Sequence, residues 1–191
     1  VNFVFGSHPD NLLDASYSYL VKNPGVPIDH KYVLKANSLN IPVINEVELA
    51  FANIDKSLNA KIIGITGSDG KTTTTTLTYE ILKNAGYTTH LGGNIGIPLF
   101  TKLSEIKPED IIVLELSSFQ LMGMDISPDI SAITNISPNH LNVHKDYQEY
   151  IDAKKNIFKH QDENGILVLN ADNEITKSCK NEANGNVIMF S

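Results

Sequence analysis

The chain has 191 residues, with 22 acidic side chains against 15 basic ones and a formal net charge of −7. That balance argues against a nucleic-acid or anionic-membrane surface, and no apolar run approaches the ~18 residues of a membrane helix. The single cysteine, Cys179, excludes an internal disulfide and a cysteine-based metal site, and the absence of arginine excludes a bidentate arginine clamp on phosphate.

The apolar share is ample for a core. One cysteine, and an N-terminus without a basic stretch leading an apolar one, predict a reducing, cytoplasmic setting with no signal peptide. In chain order, apolar runs predict strands over residues 1–5, 19–22, 41–44, 61–66, 87–92, 111–116, 130–135, 165–170 and 186–190. Helical spacing predicts helices over 30–39, 46–54, 71–85, 147–161 and 174–180. Alternating strands and helices predict an α/β fold with a mostly parallel sheet covered on both faces. The run Ile-Ile-Val-Leu at 111–114 has the unbroken apolarity of a doubly buried parallel strand.

Residues 53–60 are polar and aperiodic, and a domain boundary is expected there, between 1–58 and 59–191. Residues 1–58 are few for an independent α/β domain, and the chain stops at a strand with no closing helix. Both features lead us to expect part of a longer polypeptide.

The strongest feature is Gly-Ile-Thr-Gly-Ser-Asp-Gly-Lys-Thr-Thr, residues 64–73. A predicted strand runs through a glycine turn into a helix with Leu77, Ile81, Leu82 and Ala85 at helical spacing. This pattern suits a polyphosphate. Gly67 and Gly70 let backbone N–H groups approach, the helix N-terminus adds about half a positive charge, Lys71 adds a full one, and the Thr72 hydroxyl suits Mg²⁺. Five consecutive threonines, Thr72–Thr76, are poor helix formers, so those at the start read as ligand contacts. Ile65 stands where the strict phosphate-loop pattern has its first glycine. A glycine-rich turn with an exposed lysine is the competing reading.

Glu115 ends the 111–116 run, and ligands of open parallel sheets bind beyond the carboxyl ends of strands. A carboxylate there is a natural Mg²⁺ ligand or a plain strand-end cap. In the 147–161 helix, Tyr147, Tyr150, Ile151, Ile157 and Phe158 form one apolar stripe with Lys154 in its middle. Lys155 falls on the opposite, solvated face. Lys154 either snorkels or is paired, neutral or modified, since desolvation depresses a lysine pKa and a neutral amine reacts with CO₂ to give an anionic carbamate. His140 lies beyond the 130–135 strand, a position that suits a second divalent metal. His144 follows four residues on, but the pair lacks a third zinc ligand.

Together these residues resemble the Mur ligase family over essentially the whole chain. The resemblance rests on residues 64–75, Gly-Gly-Asn-Ile-Gly-Ile-Pro (92–98), Leu-Glu-Leu-Ser-Ser-Phe-Gln-Leu (114–121), Thr-Asn-Ile-Ser-Pro-Asn-His-Leu (134–141) and Tyr-Ile-Asp-Ala-Lys (150–154). Residues 22–27 and 41–50 resemble the family's N-terminal domain. The 115–121 string is similar to that of the D-glutamate-adding branch. The resemblance implies a partial N-terminal Rossmann-like, UDP-substrate-binding domain (1–58). It also implies a phosphate-loop-containing, ATP-binding ligase domain (59–191) cut before its end. The implied activity joins D-glutamate to UDP-N-acetylmuramoyl-L-alanine through an acyl phosphate, in a cytoplasmic monomer making peptidoglycan precursors.

The implied ATP contacts are Gly67, Ser68, Asp69, Gly70, Lys71, Thr72 and Thr73. Thr72 and Glu115 would bind a first Mg²⁺, and His140 with carbamylated Lys154 a second. Lys71, His140 and Lys154 would be catalytic. Asn94 and Ser117 would contact substrate near the reacting carboxylate, and Asn23 and Gly25 its uridine end. Asn139 and Asn142 stand where the family often has aspartate, and Asp69 where asparagine is common. The D-glutamate site is implied to lie in a third domain absent here, so these 191 residues alone are expected not to ligate. Two alternatives remain open at this point: another amide ligase such as folylpolyglutamate synthase, or a phosphate-loop module without ligase chemistry.

Overall fold

The computed structural model describes residues 3–6, 8–9, 11–138 and 144–191. Two compact units divide at Glu46 and Val47. In the first, β1 (Leu20–Val21) and β2 (Val43–Ile44) pair in parallel around α1 (Lys31–Ser38). Tyr32 and Ala36 of α1 bury against Leu13 and Ile41. The expected strand over residues 1–5 is not formed at 3–5, and its first two residues lie outside the described ones. Phe3 and Phe5 are exposed, so the alternating run has no sheet to join.

The first unit ends ahead of the boundary expected at residue 58. The reason is α2 (Glu46–Asn53), whose Val47, Ala50 and Phe51 are buried in the core of the second unit.

That second unit contains β3 (Lys61–Thr66), α3 (Lys71–Asn84), β4 (Thr89–Gly93), β5 (Ile111–Glu115), α4 (Ser118–Leu121) and β6 (Ile130–Ile133). Then follow α5 (Tyr147–Lys159), β7 (Ile166–Asn170), α6 (Glu174–Ser178) and β8 (Asn186–Phe190). The six strands form one parallel sheet in the order β4-β5-β3-β6-β7-β8. Chain order turns back at β3, with β5 on one side and β6 on the other. In open parallel sheets, ligands bind beyond the carboxyl ends of the strands at such a point. Ile112, Val113 and Leu114 of β5 are fully buried, as an interior parallel strand requires.

Helix α3 differs from expectation. Leu77 and Ile81 are exposed, and the residue it buries is Thr75. The Thr75 hydroxyl donates to the Lys71 carbonyl within the helix (2.8 Å), which satisfies it without leaving the helix and makes it tolerable inside. Helix α4 was not expected from periodicity. Its start is a capping box, with the Ser117 hydroxyl accepting from the Gln120 N–H and Gln120 Oε1 accepting from the Ser117 N–H. Lys155, expected to be solvated, pairs with Glu182 at 2.6 Å, its side chain only 12% exposed. Cys179 is a free, buried thiol, pushed up to about 11 chiefly by burial. Among the described residues, no helix is long and apolar enough to cross a membrane.

Candidate active site

The loop between β3 and α3 carries the expected phosphate-binding residues. At Gly67, a Cβ would overlap the Thr134 hydroxyl at the end of β6. Gly70 precedes α3 at φ 76°, in the left-handed region. The first intrahelical bond recorded runs from Thr74 N to Gly70 O. The N–H groups of Lys71, Thr72 and Thr73, ahead of that bond, have no partner within the helix. The Lys71 ammonium folds onto the loop and donates to the carbonyls of Gly67 (2.9 Å) and Ser68 (3.0 Å). Gly67→Ala is expected to destabilise the folded state by about 1–3 kcal/mol through this overlap and to weaken ATP binding. An unchanged urea midpoint and nucleotide affinity would refute the steric argument.

Ser68 and Asp69 sit differently from the simple picture of loop amides facing a ligand. The Ser68 N–H donates to the Asn135 carbonyl (2.9 Å) and the Asp69 N–H to Asn135 Oδ1 (3.0 Å). The Ser68 hydroxyl is buried. It donates to the Ser137 carbonyl, accepts from the Ser137 N–H, and meets the Tyr150 hydroxyl, each at 2.9 Å.

Glu115, at the end of β5 and 2% exposed, faces this loop. The Thr72 hydroxyl donates to its Oε2 (2.7 Å) and the Asn94 carboxamide to its Oε1 (2.8 Å). The Asn94 N–H also donates to the Glu115 carbonyl (2.8 Å), fixing the loop after β4 against β5. A hydroxyl and a carboxylate in such proximity form the kind of oxygen donor pair that Mg²⁺ takes. Thr72, Asn94 and Glu115 are thus brought together across three separate elements.

Lys154 is 1% exposed on α5, under the loop. Its Nζ donates to the Gly67 carbonyl (2.8 Å), reaches Thr66 Oγ1 (3.4 Å), and lies 4.7 Å from the centroid of the Tyr150 ring. No carboxylate pairs with it among the described ion pairs. Burial, and then the neighbouring Lys71 charge, lower its pKa to about 7, against a smaller opposing effect of Asp69. Both lysines donate to the same Gly67 carbonyl. Of the alternatives open from the pattern, snorkelling is therefore not what this lysine does. Its amine nitrogen suits the chemistry of a carbamate, and only that product would supply oxygen donors.

His140 lies outside the described residues. His144 is 3% exposed, with Nε2 at 3.0 Å from the Ser118 hydroxyl and its ring stacked on Phe119. Its Nδ1 lies 3.5 Å from Glu149 Oε2, and no cluster of three or more metal-ligating side chains occurs among the described residues. Ser117 lies two residues beyond β5 and its hydroxyl is engaged in the α4 cap. In the first unit, the Asn23 side chain accepts from the Gly25 N–H (2.9 Å) in a tight turn. Asn23 lines a cleft of about 580 Å³ with Lys22, Val26 and His30. Thr134 and Asn135, expected only as the end of the 130–135 strand and the start of the 134–141 motif, grip the loop. The available signal was the change from apolar to polar residues within that run, at Thr134.

Residues 65–191 match the Mur ligase middle domain. The chain belongs to the Mur ligase family. This Mur ligase chain is 52% identical over 191 residues to the UDP-N-acetylmuramoylalanine–D-glutamate ligase of Clostridium botulinum strain Hall, covering all of the chain and 41% of that relative. It is 51% identical over 193 residues to the enzyme of the same name from Clostridium tetani strain Massachusetts, again covering 41% of it. The chain thus spans about two-fifths of the length of the curated relatives it matches.

Solved Mur ligases share the fold. MurF from Acinetobacter baumannii superposes with a TM-score of 0.62 at 18% identity, over 94% of this chain and 47% of that one. MurF from Thermotoga maritima in complex with ADP gives 0.59 at 22% identity, over 94% and 49%.

Proposed function

We propose that the polypeptide carrying this chain is a cytoplasmic, monomeric, ATP-dependent ligase that joins D-glutamate to UDP-N-acetylmuramoyl-L-alanine in peptidoglycan precursor synthesis. The observation that carries the reading is Glu115, a buried strand-end carboxylate held by Thr72 of the phosphate loop and by Asn94. The substrates come from the names of the clostridial relatives.

In this reading residues 59–191 bind ATP and residues 1–58 the UDP-linked substrate, with Asn23 and Gly25 toward its uridine end. Lys71 releases the Gly67 and Ser68 carbonyls to meet the β- and γ-phosphates beside the first-turn amides of α3. Thr72 and Glu115 hold one Mg²⁺, and His140 with carbamylated Lys154 a second. Bound metal supplies charge neutralisation, which lets two polyanions approach. Lys154 becomes a ligand when its neutral amine adds CO₂, forming an N–C bond and releasing one proton. Asn94 and Ser117 orient the reacting carboxylate. That carboxylate takes the γ-phosphoryl group from ATP and ADP leaves; the D-glutamate amine then attacks the acyl phosphate, and inorganic phosphate and one amine proton leave as the amide forms.

The test is ADP release by the full polypeptide. Release should require both UDP-N-acetylmuramoyl-L-alanine and D-glutamate. Release with a folyl acceptor and glutamate instead would replace this reading with the folylpolyglutamate one. ATP hydrolysis indifferent to every acceptor would leave a nucleotide-binding module.

A further inference from the structure

We infer that Asn135 is a positioning residue for the nucleotide site, which holds the tip of the phosphate loop by gripping both sides of Asp69. The inference rests on the ATP reading above. Asn135 Oδ1 accepts from the Asp69 N–H and its Nδ2 donates to the Asp69 carbonyl, both at 3.0 Å. The Asn135 carbonyl takes the Ser68 N–H at 2.9 Å. The neighbouring Thr134 hydroxyl also donates to the Asp69 carbonyl (2.6 Å). One side-chain amide thus pairs with the Asp69 main chain as a neighbouring strand would, at the point where the loop has left the sheet.

The grip is anchored from behind. Asn170 at the end of β7 donates to the Thr134 carbonyl (2.9 Å), and Asn173 donates to the Ile136 carbonyl (3.0 Å). The loop tip is therefore tied through Asn135 to β7 and α6, not only to its own helix. Its consequence for binding is geometric. With the Ser68 and Asp69 N–H groups turned onto Asn135, the first-turn amides of α3 and Lys71 are left to face phosphate. A loop pre-set in this way loses less conformational freedom when nucleotide binds. These 191 residues hold no arginine, so within them the groups set to meet phosphate are the α3 amides and Lys71, and the loop places both.

The test uses the full polypeptide, with Mg-ATP binding measured by calorimetry beside steady-state kinetics. Asn135→Ala should raise the dissociation constant and KM for ATP about tenfold, the combined effect of two hydrogen bonds. Turnover and the KM values of the other two substrates should stay within about twofold. Thr134→Val, which keeps side-chain shape but removes the hydroxyl's short bond to the Asp69 carbonyl (2.6 Å) and its longer one to the Thr66 carbonyl (3.3 Å), should raise the ATP constants about threefold. It carries the test should Asn135→Ala fail to fold. An unchanged ATP affinity in folded variants, or an equal rise in every KM, would overturn this role and leave Asn135 a brace between β3 and β6. Wild-type protein that binds no Mg-ATP overturns the nucleotide reading, and this role with it.

Discussion

Lys154→Ala in the full polypeptide is expected to reduce ligase turnover by about 10³-fold or more, the scale of losing a metal-holding ligand. A short carboxylic acid such as acetate should restore part of it by filling the vacated space with oxygen donors. The ground is the placement of Lys154, 1% exposed beneath Gly67 with its amine on a main-chain carbonyl. Its pKa is depressed to about 7 by burial first and by Lys71 second. A large share of the amine is therefore neutral near pH 7, and carbamate formation should increase as pH rises through that value.

Stability follows the same sign. Between about 7 and the ordinary value of 10.5 the unfolded chain holds a proton that the folded one does not. Folding stability from this group therefore rises with pH across that window and is at its lowest below about 7. Lys154→Ala should flatten the rise. Undiminished turnover in the variant, or the absence of an added CO₂ in the mass of the native protein under bicarbonate, would reject the carbamate.

Glu115→Gln should lower kcat/KM for ATP by roughly 10²–10³-fold and move the Mg²⁺ requirement to higher concentration. Glutamine retains one oxygen to accept from Thr72 or Asn94, so the hydrogen-bonded frame is largely preserved while the charge is lost. Glu115 is 2% exposed and is reached by both donors at 2.7 and 2.8 Å. A carboxylate placed there merely to cap β5 would tolerate this change kinetically. An unaltered Mg²⁺ titration would therefore favour the capping role and remove the metal from this position.

Both the loop and Lys154 were visible from the residue pattern. The loop at 64–73 was legible because strand, glycine turn, lysine and helix start are contiguous there. Lys154 was conspicuous for a similar reason: one helix turn after another sets its apolar neighbours. Helix α4 was written in the Ser117-to-Gln120 spacing of a capping box, although no periodicity marked so short an element. The face of α3 was misleading. Leu77 and Ile81 look like core residues, yet the side that meets the sheet buries Thr75, whose hydroxyl bonds its own helix.

What the sequence determined by itself was therefore local chemistry. It specified a glycine turn and lysine between a strand and a helix, an acid at a strand end, and a lysine in an apolar stripe, in a chain whose basic residues are all lysine. Only the tertiary structure decided which of these groups meet. Thr72 and Glu115 are 43 residues apart, and Asp69 and Asn135 are 66 apart. Each pair is joined by parallel pairing of β3 with β5 on one side and β6 on the other. Periodicity gives the face of a strand but not its neighbour. The neighbour is chosen by how the crossover helices pack the whole sheet.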